Sequence, residues 1–323
     1  MKPGIEVVIM CRERHPETIR AIDALAKVDF GVDTKIIVSD NPSSPEKSLS
    51  GIPNYLSHKI RNPSGSWNWH FNTIVSELEY EWSLITHDDD EILPVLGTIF
   101  QAFRDNPEVS VITGLSQIVD DKAGAIFDES YDKRIDAAGL RKPAGEVRKD
   151  LSGYLFDLGT LFPASAMIIR SSLLQSLSPL DNRFELTADF GLSIVIANDN
   201  GVVFEGSQAV MNYNLHENNS VFTDDAAGGI KPDFTITRIL LMDKFKNLYS
   251  ESRMTMILKS VVLSKILISA FGLSQRRRTL SETIKSSNSL KRNRIKYLLM
   301  ILPIRLGPLA PYVRYKMRKR LGI

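Results

Sequence analysis

The sequence predicts an α/β protein in which a mostly parallel central sheet is flanked by helices, with a helical, basic extension at the C-terminal end. The first observation is a continuous apolar run at residues 5–10, too short for a helix and suited to a buried parallel strand. The second is helical spacing of apolar side chains at residues 16–27, followed by another apolar run at residues 35–38. The third is an apolar run at residues 84–86 that ends directly in acids. This alternation is typical of β-α-β units with parallel strands.

Length and composition are those of an ordinary folded protein. The chain has 323 residues, of which 43% are hydrophobic and 24% charged, enough for one large or two smaller domains with a full core. Its single cysteine, Cys11, excludes an internal disulfide framework and fits a reducing cytoplasm. The first apolar run is too short for a secretory signal, so we expect the protein to stay on the cytoplasmic side.

Asp40 ends the second predicted strand, at the start of a polar turn. Because a right-handed crossover aligns successive strands in parallel, we expect Asp40 at the same sheet edge as the end of the first strand and the acids of residues 88–91. A carboxylate at that edge can accept hydrogen bonds from a ribose or a base, and the alternative is a residue of an Asx-turn.

The acidic run Asp88-Asp89-Asp90-Glu91 follows His87 at the end of another predicted strand. Adjacent carboxylates repel one another, so this cluster either lies open to water or holds a cation. An acidic turn needs no buried strand leading into it, and we therefore favour metal binding over a solvated turn.

The remaining segments carry weaker signals. We expect a helix at residues 67–78, whose Trp67, Trp69 and Phe71 we interpret as packing groups. Residues 114–150 show no periodicity and are a candidate acceptor loop, and two edge strands are expected at residues 202–204 and 209–213. Asp189 is predicted in the first turns of a helix that runs to about residue 198.

The net charge of +2 conceals two oppositely charged parts. Residues 251–323 contain 17 Lys and Arg and two Glu, a net charge of +15, which leaves −13 for the first 250 residues. The apolar segment at residues 256–273 contains Lys259 and Lys265, so we expect an interfacial or docked helix rather than a transmembrane one. Alternating basic and apolar patches indicate a peripheral anchor on an anionic membrane, not a nucleic-acid module; a solvated appendage or an oligomer contact is the alternative.

Taken in order, these segments resemble the family 2 glycosyltransferases, which have the Rossmann-like GT-A fold and use nucleotide sugars as donors. The resemblance covers residues 5–220 and depends on five motifs. They are Val8-Ile9-Met10-Cys11-Arg12-Glu13-Arg14, Val38-Ser39-Asp40-Asn41, His87-Asp88-Asp89-Asp90-Glu91 with Pro94, Thr187-Ala188-Asp189-Phe190, and Tyr213-Asn214-Leu215-His216. His87 departs from the pattern at a position where an Asp often stands, and Ala188 replaces a common Glu.

The resemblance implies a role for each match. The predicted residues are Asp189 as catalytic base; Cys11, Arg12, Arg14, Asp40 and Asp88 in the donor nucleotide site; and Asp89, Asp90 and His216 as metal ligands. A departing diphosphate needs a hard cation with oxygen ligands, so Mn²⁺ or Mg²⁺ is the expected cofactor. A carboxylate that takes the acceptor proton suits direct displacement with inversion. The Gln-x-x-Arg-Trp signature of processive members is absent from the sequence, which favours transfer of one sugar.

The sequence thus predicts an inverting glycosyltransferase with a GT-A domain at residues 1–230 and a membrane-associating tail at residues 231–323. The nucleotide-sugar half is expected at about residues 1–113 and the acceptor half at about 114–230. By analogy with the family, the acceptor is a glycan, often lipid-linked, of O-antigen, capsule or related surface polysaccharide synthesis on the inner face of the cytoplasmic membrane. The alternatives are a metal-dependent nucleotidyltransferase and a non-catalytic membrane-complex subunit that retains the fold.

Overall fold

The computed structural model describes residues 1–11, 13, 15–61, 66–120, 124–126, 129–159, 161–215, 224–301, 310–312 and 316. The chain divides into two compact units. The first comprises Met1–Leu180 and Leu192–His216, and the second Asp181–Gly191 and Glu217–Ile323. A continuous helix passes through residue 230, and the predicted domain division at that residue stays a prediction.

The first unit is built on a sheet of nine described strands. They are β1 (Lys2–Cys11), β2 (Thr34–Asp40), β3 (Ser57–Ile60), β4 (Tyr80–His87), β5 (Asp90–Ile92), β6 (Val111–Asp120), β7 (Gly124–Ile126), β8 (Ile168–Arg170) and β9 (Val202–Leu215). Their order is β3-β2-β1-β4-β8-β6-β9-β5, and β7 pairs with β6. The long pairings of β1 with β2 and β4, and of β6 with β9, are parallel, whereas the antiparallel pairings extend over two or three residues. The prediction of a mostly parallel sheet is therefore confirmed.

Helices flank this sheet and make up most of the second unit. They are α1 (His15–Leu25), α2 (Trp67–Ser76), α3 (Pro94–Phe103), α4 (Glu129–Ala137), α5 (Leu151–Leu158), α6 (Ser171–Leu177), α7 (Ala188–Ala197), α8 (Asp224–Lys244), α9 (Glu251–Phe271), α10 (Ser274–Ser286), α11 (Asn288–Lys291) and α12 (Arg294–Ile301). Short 3-10 helices lie at Pro45–Lys47, Ala164–Ala166, Asn182–Thr187 and Lys246–Leu248.

The central position of β1 explains its composition. Every residue from Gly4 to Cys11 is buried, because the strand has neighbours on both sides and helices on the faces of the sheet. Such a strand reads as a continuous apolar run instead of an alternating one. Its side chains join the principal core together with Leu84 of β4, Phe100 of α3 and Ile112 of β6.

Two expectations about the middle of the chain are wrong. Residues 114–150 contain regular structure, because β6 continues to Asp120 and α4 follows at Glu129–Ala137. The two edge strands predicted at residues 202–213 form the single strand β9, which lies inside the sheet between β6 and β5. A register shift between Gly114 and Ser116 of β6 lets the strand pair continue past the polar residues Ser207 and Gln208 that suggested a break.

The second unit has its own helical core. In α9, one face buries Met254, Ile257, Val261, Leu267 and Ile268. The α9 hydroxyl Ser264 Oγ lies 2.8 Å from Thr235 Oγ1 of α8, and Phe190 packs on Phe234 with ring centroids 4.8 Å apart. The predicted helical, basic extension is present in this unit.

Candidate functional site

The strand register brings three predicted site residues to the carboxyl edge of the sheet. Cys11 at the end of β1 pairs with Asp40 of β2, and the preceding Met10 pairs with His87 of β4. The backbone N–H of Asp88 also donates to the carbonyl of Met10, at 3.1 Å. Asp40 and the acidic run therefore flank the end of β1, as the crossover argument predicts. Arg12 and Arg14, which follow in the sequence, lie outside the described residues.

Asp40 is fully buried and its two oxygens differ in surroundings. Oδ2 accepts hydrogen bonds from the Ser48 hydroxyl and the Leu49 backbone N–H, both at 2.8 Å, and lies 3.5 Å from Nε2 of His58. Oδ1 has no hydrogen-bond partner among the described residues. Because a buried carboxylate oxygen without a donor is costly, this atom is suited to a donor group of a ligand.

The acidic run is buried instead of solvated. The exposed fractions of Asp88, Asp89 and Asp90 are 3%, 7% and 2%. The structure therefore excludes the solvated acidic turn, and Asp90 begins β5, in which it pairs with Tyr213 of β9. Buried carboxylates this close require compensating positive charge or protonation.

One group among the described residues has the geometry of a cation site. Ligand atoms of His87, Asp89 and Asp90 all lie within 4.8 Å of one another. Ser165 donates its hydroxyl proton to Oδ2 of Asp90 and accepts the backbone N–H of His87 at 3.3 Å. Asn214 donates to the carbonyl of Asp89 at 2.8 Å. The carboxylate oxygens of Asp89 and Asp90 are the type of ligand that Mg²⁺ or Mn²⁺ prefers.

The fourth acid and the third predicted metal ligand remain to be placed. Glu91, the fourth acid, is not part of the group and accepts a hydrogen bond from Asn212 at 3.2 Å. Its position follows from strand geometry, because neighbouring side chains of β5 point to opposite faces. The predicted ligand His216 lies outside the described residues, so its role stays a prediction.

A polar chain supports the strand that carries Asp40. His70 Nε2 of α2 lies 2.9 Å from the hydroxyl of Ser39, which accepts from Arg61 Nε at 3.0 Å. Arg61 also donates to both carboxylate oxygens of Glu77, at 2.6 and 3.0 Å. The hydrogen bonds from Arg61, with those from Lys59, lower the pKa of Glu77 to about 2. This chain links β2, the end of β3 and α2, and so anchors the edge beside Asp40.

Asp189 belongs to the second unit, whereas Asp40 and the acidic run belong to the first. It is in the first turn of α7, as predicted, and its side chain is half-buried. The preceding Thr187 is held by its hydroxyl, which donates to the carbonyl of Phe184 at 2.7 Å and lies 2.8 Å from Thr237 Oγ1. The predicted role of Asp189 as the catalytic base is not tested by this geometry and stays a prediction.

The sequence does not predict that His87 and Trp67 belong to the site. His87 was noted as a departure from a motif, yet it lies in the group with Asp89 and Asp90. Trp67 packs on Phe71, as expected, and its indole N–H in addition donates to Nε2 of His87 at 3.2 Å. The sequence signal that could have identified His87 is its position as the last residue of a buried strand. Trp69 is 40% exposed and is not a core residue, in contrast to Phe71 at 4%.

Comparison with known sequences gives no assignment. No protein-family model matches the chain, and no curated protein sequence matches it.

Comparison with solved structures gives the fold. The chain is similar to S. aureus TarS 1-349 in complex with UDP-GlcNAc, with a TM-score of 0.54, 16% identity and coverage of 100% of this chain and 89% of that chain. It is also similar to the complex of TarS 1-349 with UDP, with a TM-score of 0.50, 15% identity and coverage of 100% and 92%. A match to the mannosyltransferase PcManGT from Pyrobaculum calidifontis in complex with GDP-Man and Mn²⁺ has a TM-score of 0.49, 11% identity and coverage of 100% and 84%, too distant to support an argument.

The central sheet, its flanking helices and the two TarS matches define the fold as GT-A-like, as expected from the sequence. At this level of identity the likeness establishes the fold alone, because one fold carries many activities.

Proposed function

We propose that the chain is an inverting glycosyltransferase of family 2 type that moves one sugar from a nucleotide-sugar donor to a glycan acceptor. The observation that carries the proposal is the carboxyl edge of the sheet. There, a buried Asp40 with one oxygen lacking a described donor shares the sheet edge with the buried carboxylates of Asp89 and Asp90, which could hold a divalent cation. Asp40 suits the base or ribose of a nucleoside diphosphate, and a cation held by the acids suits its diphosphate.

The donor nucleotide is assigned to the edge between β2 and β4. Oδ1 of Asp40 would accept from the base or ribose, with Cys11 beside it at the end of β1 and Arg12 and Arg14 further along the chain. Two strand spacings separate Asp40 from the acidic run, a distance on the order of 10 Å. The matched TarS structures were determined with UDP-GlcNAc and UDP, which supports a nucleotide-sugar donor here.

Asp89 and Asp90 would hold the cation, with Asp88 turned towards the nucleotide and His216 completing the site. The ion, Mn²⁺ or Mg²⁺, would neutralise the negative charge on the departing diphosphate. The protein's own contribution is to fix the carboxylates before the donor arrives. Ser165 does this for Asp90 by donating to its Oδ2, and Asn214 holds the backbone of Asp89 by donating to its carbonyl.

Asp189 is proposed as the base that accepts the proton of the acceptor hydroxyl while the bond to the anomeric carbon forms. A sugar hydroxyl is a poor nucleophile, and a carboxylate within hydrogen-bond reach removes its proton during the attack. Direct attack opposite the leaving diphosphate inverts the anomeric configuration.

The test is slow hydrolysis of donors, since water can take the place of an acceptor hydroxyl. The full chain would be incubated with a panel of nucleotide sugars and Mn²⁺, and release of nucleoside diphosphate and of sugar followed by NMR. We expect one donor to be cleaved with inversion, and Asp189→Asn to lower the rate by about 100-fold or more without weakening donor binding. Asp199→Asn, an exposed position after the end of the same helix, is the control. Retention of configuration, or full turnover by Asp189→Asn, would contradict the assignment.

The acceptor is proposed to be a lipid-linked glycan of O-antigen, capsule or related surface polysaccharide synthesis, reached from the cytoplasmic face of the membrane. Support comes from the surface of the second unit. Val262 and Leu263 on α9 are 39% and 42% exposed beside the exposed Lys259. The same unit exposes the arginines 277 and 278 of α10. Apolar side chains flanked by cations are the composition of an interfacial helix surface.

By length and composition, α9 is the one described helix that could cross a membrane, and 39% of its most apolar stretch is buried. Its second lysine, Lys265, donates to the backbone carbonyl of Met300, and burial lowers its pKa. A helix that uses one face for core packing and exposes Lys259 on another is better suited to lie at the membrane surface.

A further inference from the structure

A hydrogen bond between two side chains determines the protonation of His87. The indole Nε1–H of Trp67 donates to Nε2 of His87 at 3.2 Å, and the two rings are nearly perpendicular, at 85°, with centroids 6.1 Å apart. An indole N–H can only donate a hydrogen bond. Nε2 of His87 is therefore the acceptor and carries no proton.

The other ring nitrogen faces the acidic group. A neutral imidazole whose Nε2 is unprotonated carries its proton on Nδ1. Nδ1 lies 3.7 Å from Oδ2 of Asp90. A ring nitrogen that bears a proton has no lone pair for a metal ion, because metal binding requires the deprotonated atom.

The orientation of Trp67 is fixed by its helix. Its ring stacks on the buried ring of Phe71, one turn later in α2, with centroids 5.0 Å apart and planes 11° apart. The first turn of the helix is held by Ser66, whose hydroxyl accepts the backbone N–H of Trp69 at 3.2 Å. The donor of the hydrogen bond to His87 is thus presented by a packed side chain, not by a mobile one.

We infer that His87 is not a metal ligand, although its atoms lie within the cation group, and that Trp67 is a positioning residue that keeps the proton of His87 on Nδ1. The cation site then offers carboxylate oxygens from Asp89 and Asp90, and the Nδ1–H directs a donor towards the same space. Oxygen ligands favour hard ions such as Mg²⁺ and Mn²⁺, whereas an imidazole nitrogen would favour Co²⁺, Ni²⁺ and Zn²⁺. The inference rests on the proposed function in so far as the site is taken to bind a metal ion.

The proton position is measured directly on the metal-free full chain labelled with ¹⁵N-histidine. Two-bond ¹H–¹⁵N correlation spectra distinguish a protonated from an unprotonated ring nitrogen, and the spectrum of His87→Gln identifies the signals of His87. We expect Nδ1 of His87 to be protonated and Nε2 to be unprotonated. A proton on Nε2, in the neutral or the charged ring, would overturn the inference.

Metal preference provides the second readout. In Trp67→Phe the ring that stacks on Phe71 is kept but the N–H is lost, so Nε2 of His87 can take the proton and Nδ1 becomes available. We expect the affinity for Ni²⁺ relative to Mg²⁺, measured by calorimetric titration with each metal alone, to rise by about 10-fold.

Trp69→Phe is the matched control, since Trp69 is exposed on the same helix, and it should leave the ratio unchanged. Adding His87→Gln to Trp67→Phe should abolish the gain. An unchanged ratio in Trp67→Phe would contradict the inference, while the proposed glycosyl transfer would still be tested by its own donor-cleavage experiment.

Discussion

At the scale of single residues, the buried aspartates Asp40 and Asp90 have different roles because different hydrogen-bond donors contact their oxygens. Asp40 has one oxygen held by Ser48 and Leu49 and another with no described donor, which suits an N–H or O–H of a ligand. Asp90 is held by Ser165 and faces Nδ1 of His87, within the group that suits a cation. The β-α-β pattern predicts both positions, but the hydrogen-bond donors that distinguish the two carboxylates come from distant parts of the chain.

Asp40→Asn tests the first of these tasks. The change keeps the shape of the side chain but removes the charge, so the hydrogen bond to the nucleotide weakens by about 1.5–3 kcal/mol, roughly a 10- to 100-fold loss of affinity. Calorimetric titration of the nucleoside diphosphate in the presence of Mn²⁺ measures it. Asp105→Asn, at an 89% exposed side chain, should bind as the wild type does. Wild-type affinity in Asp40→Asn would remove Asp40 from the donor site.

Sequence could predict Asp40, the acidic run and the edge they share, because strand polarity follows from the β-α-β pattern. It could not predict that Trp67 bonds to His87, since the two residues are on different elements and their contact depends on side-chain direction. The sequence likewise leaves two alternatives for Asp88, Asp89 and Asp90, and the packing of β5 and β9 is needed to show that they are buried.

At the scale of elements, the edge of the sheet is held by the ion pair between Arg61 and Glu77. The pKa of Glu77 is lowered from 4.5 to about 2, chiefly by the hydrogen bonds from Arg61. Because the folded-state pKa lies below the ordinary value, the pair stabilises the fold above about pH 4.5 and loses this contribution as the pH falls towards 2.

Glu77→Gln should therefore lower the free energy of unfolding at pH 7 by about 1 kcal/mol, a modest value because the side chain is 37% exposed and screened by water. The difference from wild type should shrink between pH 4.5 and 2, as measured by urea unfolding at a series of pH values. Glu108→Gln, a 64% exposed partner of Lys149, should show a smaller loss. A difference independent of pH would mean that the ion pair does not determine the pKa of Glu77.

The element-scale errors have a common cause. Residues 114–150 and 202–215 contain polar side chains that break the periodicity used to predict strands and helices. In the structure, the long parallel pairing of β6 with β9 continues through the polar positions of residues 114–120 and 205–214. Strand pairing between distant segments overrides local pattern, and a single sequence does not contain that information.

At the scale of the whole molecule, the chain combines an acidic first part, residues 1–250, with a basic last part, residues 251–323, and charge counts alone show this difference. Arg277 and Arg278 are exposed, and each basic residue near an anionic bilayer contributes on the order of 1 kcal/mol. Membrane association is therefore expected to depend on charge as well as on the apolar side chains of α9.

The double variant Arg277→Gln, Arg278→Gln should bind vesicles containing phosphatidylserine about 30-fold more weakly, a loss of about 2 kcal/mol. Sedimentation of the full chain with vesicles of increasing phosphatidylserine content, at low and high salt, measures this. Lys296→Gln is the control, because Lys296 is already paired with Glu251 at 2.8 Å and should contribute less. Equal binding of neutral and anionic vesicles would contradict an electrostatic anchor.

The central claim is that the carboxyl edge of the sheet binds a nucleoside diphosphate together with a divalent cation, and thermal unfolding of the purified full chain tests it most directly. A ligand that binds only the folded state raises the unfolding midpoint according to its affinity. Across a panel of nucleoside diphosphates with and without Mn²⁺, we expect one nucleotide to raise the midpoint only when the metal is present. The shift should disappear in Asp89→Ala and persist in Glu91→Gln, the neighbouring acid outside the group. No shift with any nucleotide, or the same shift in Asp89→Ala as in wild type, would contradict the claim.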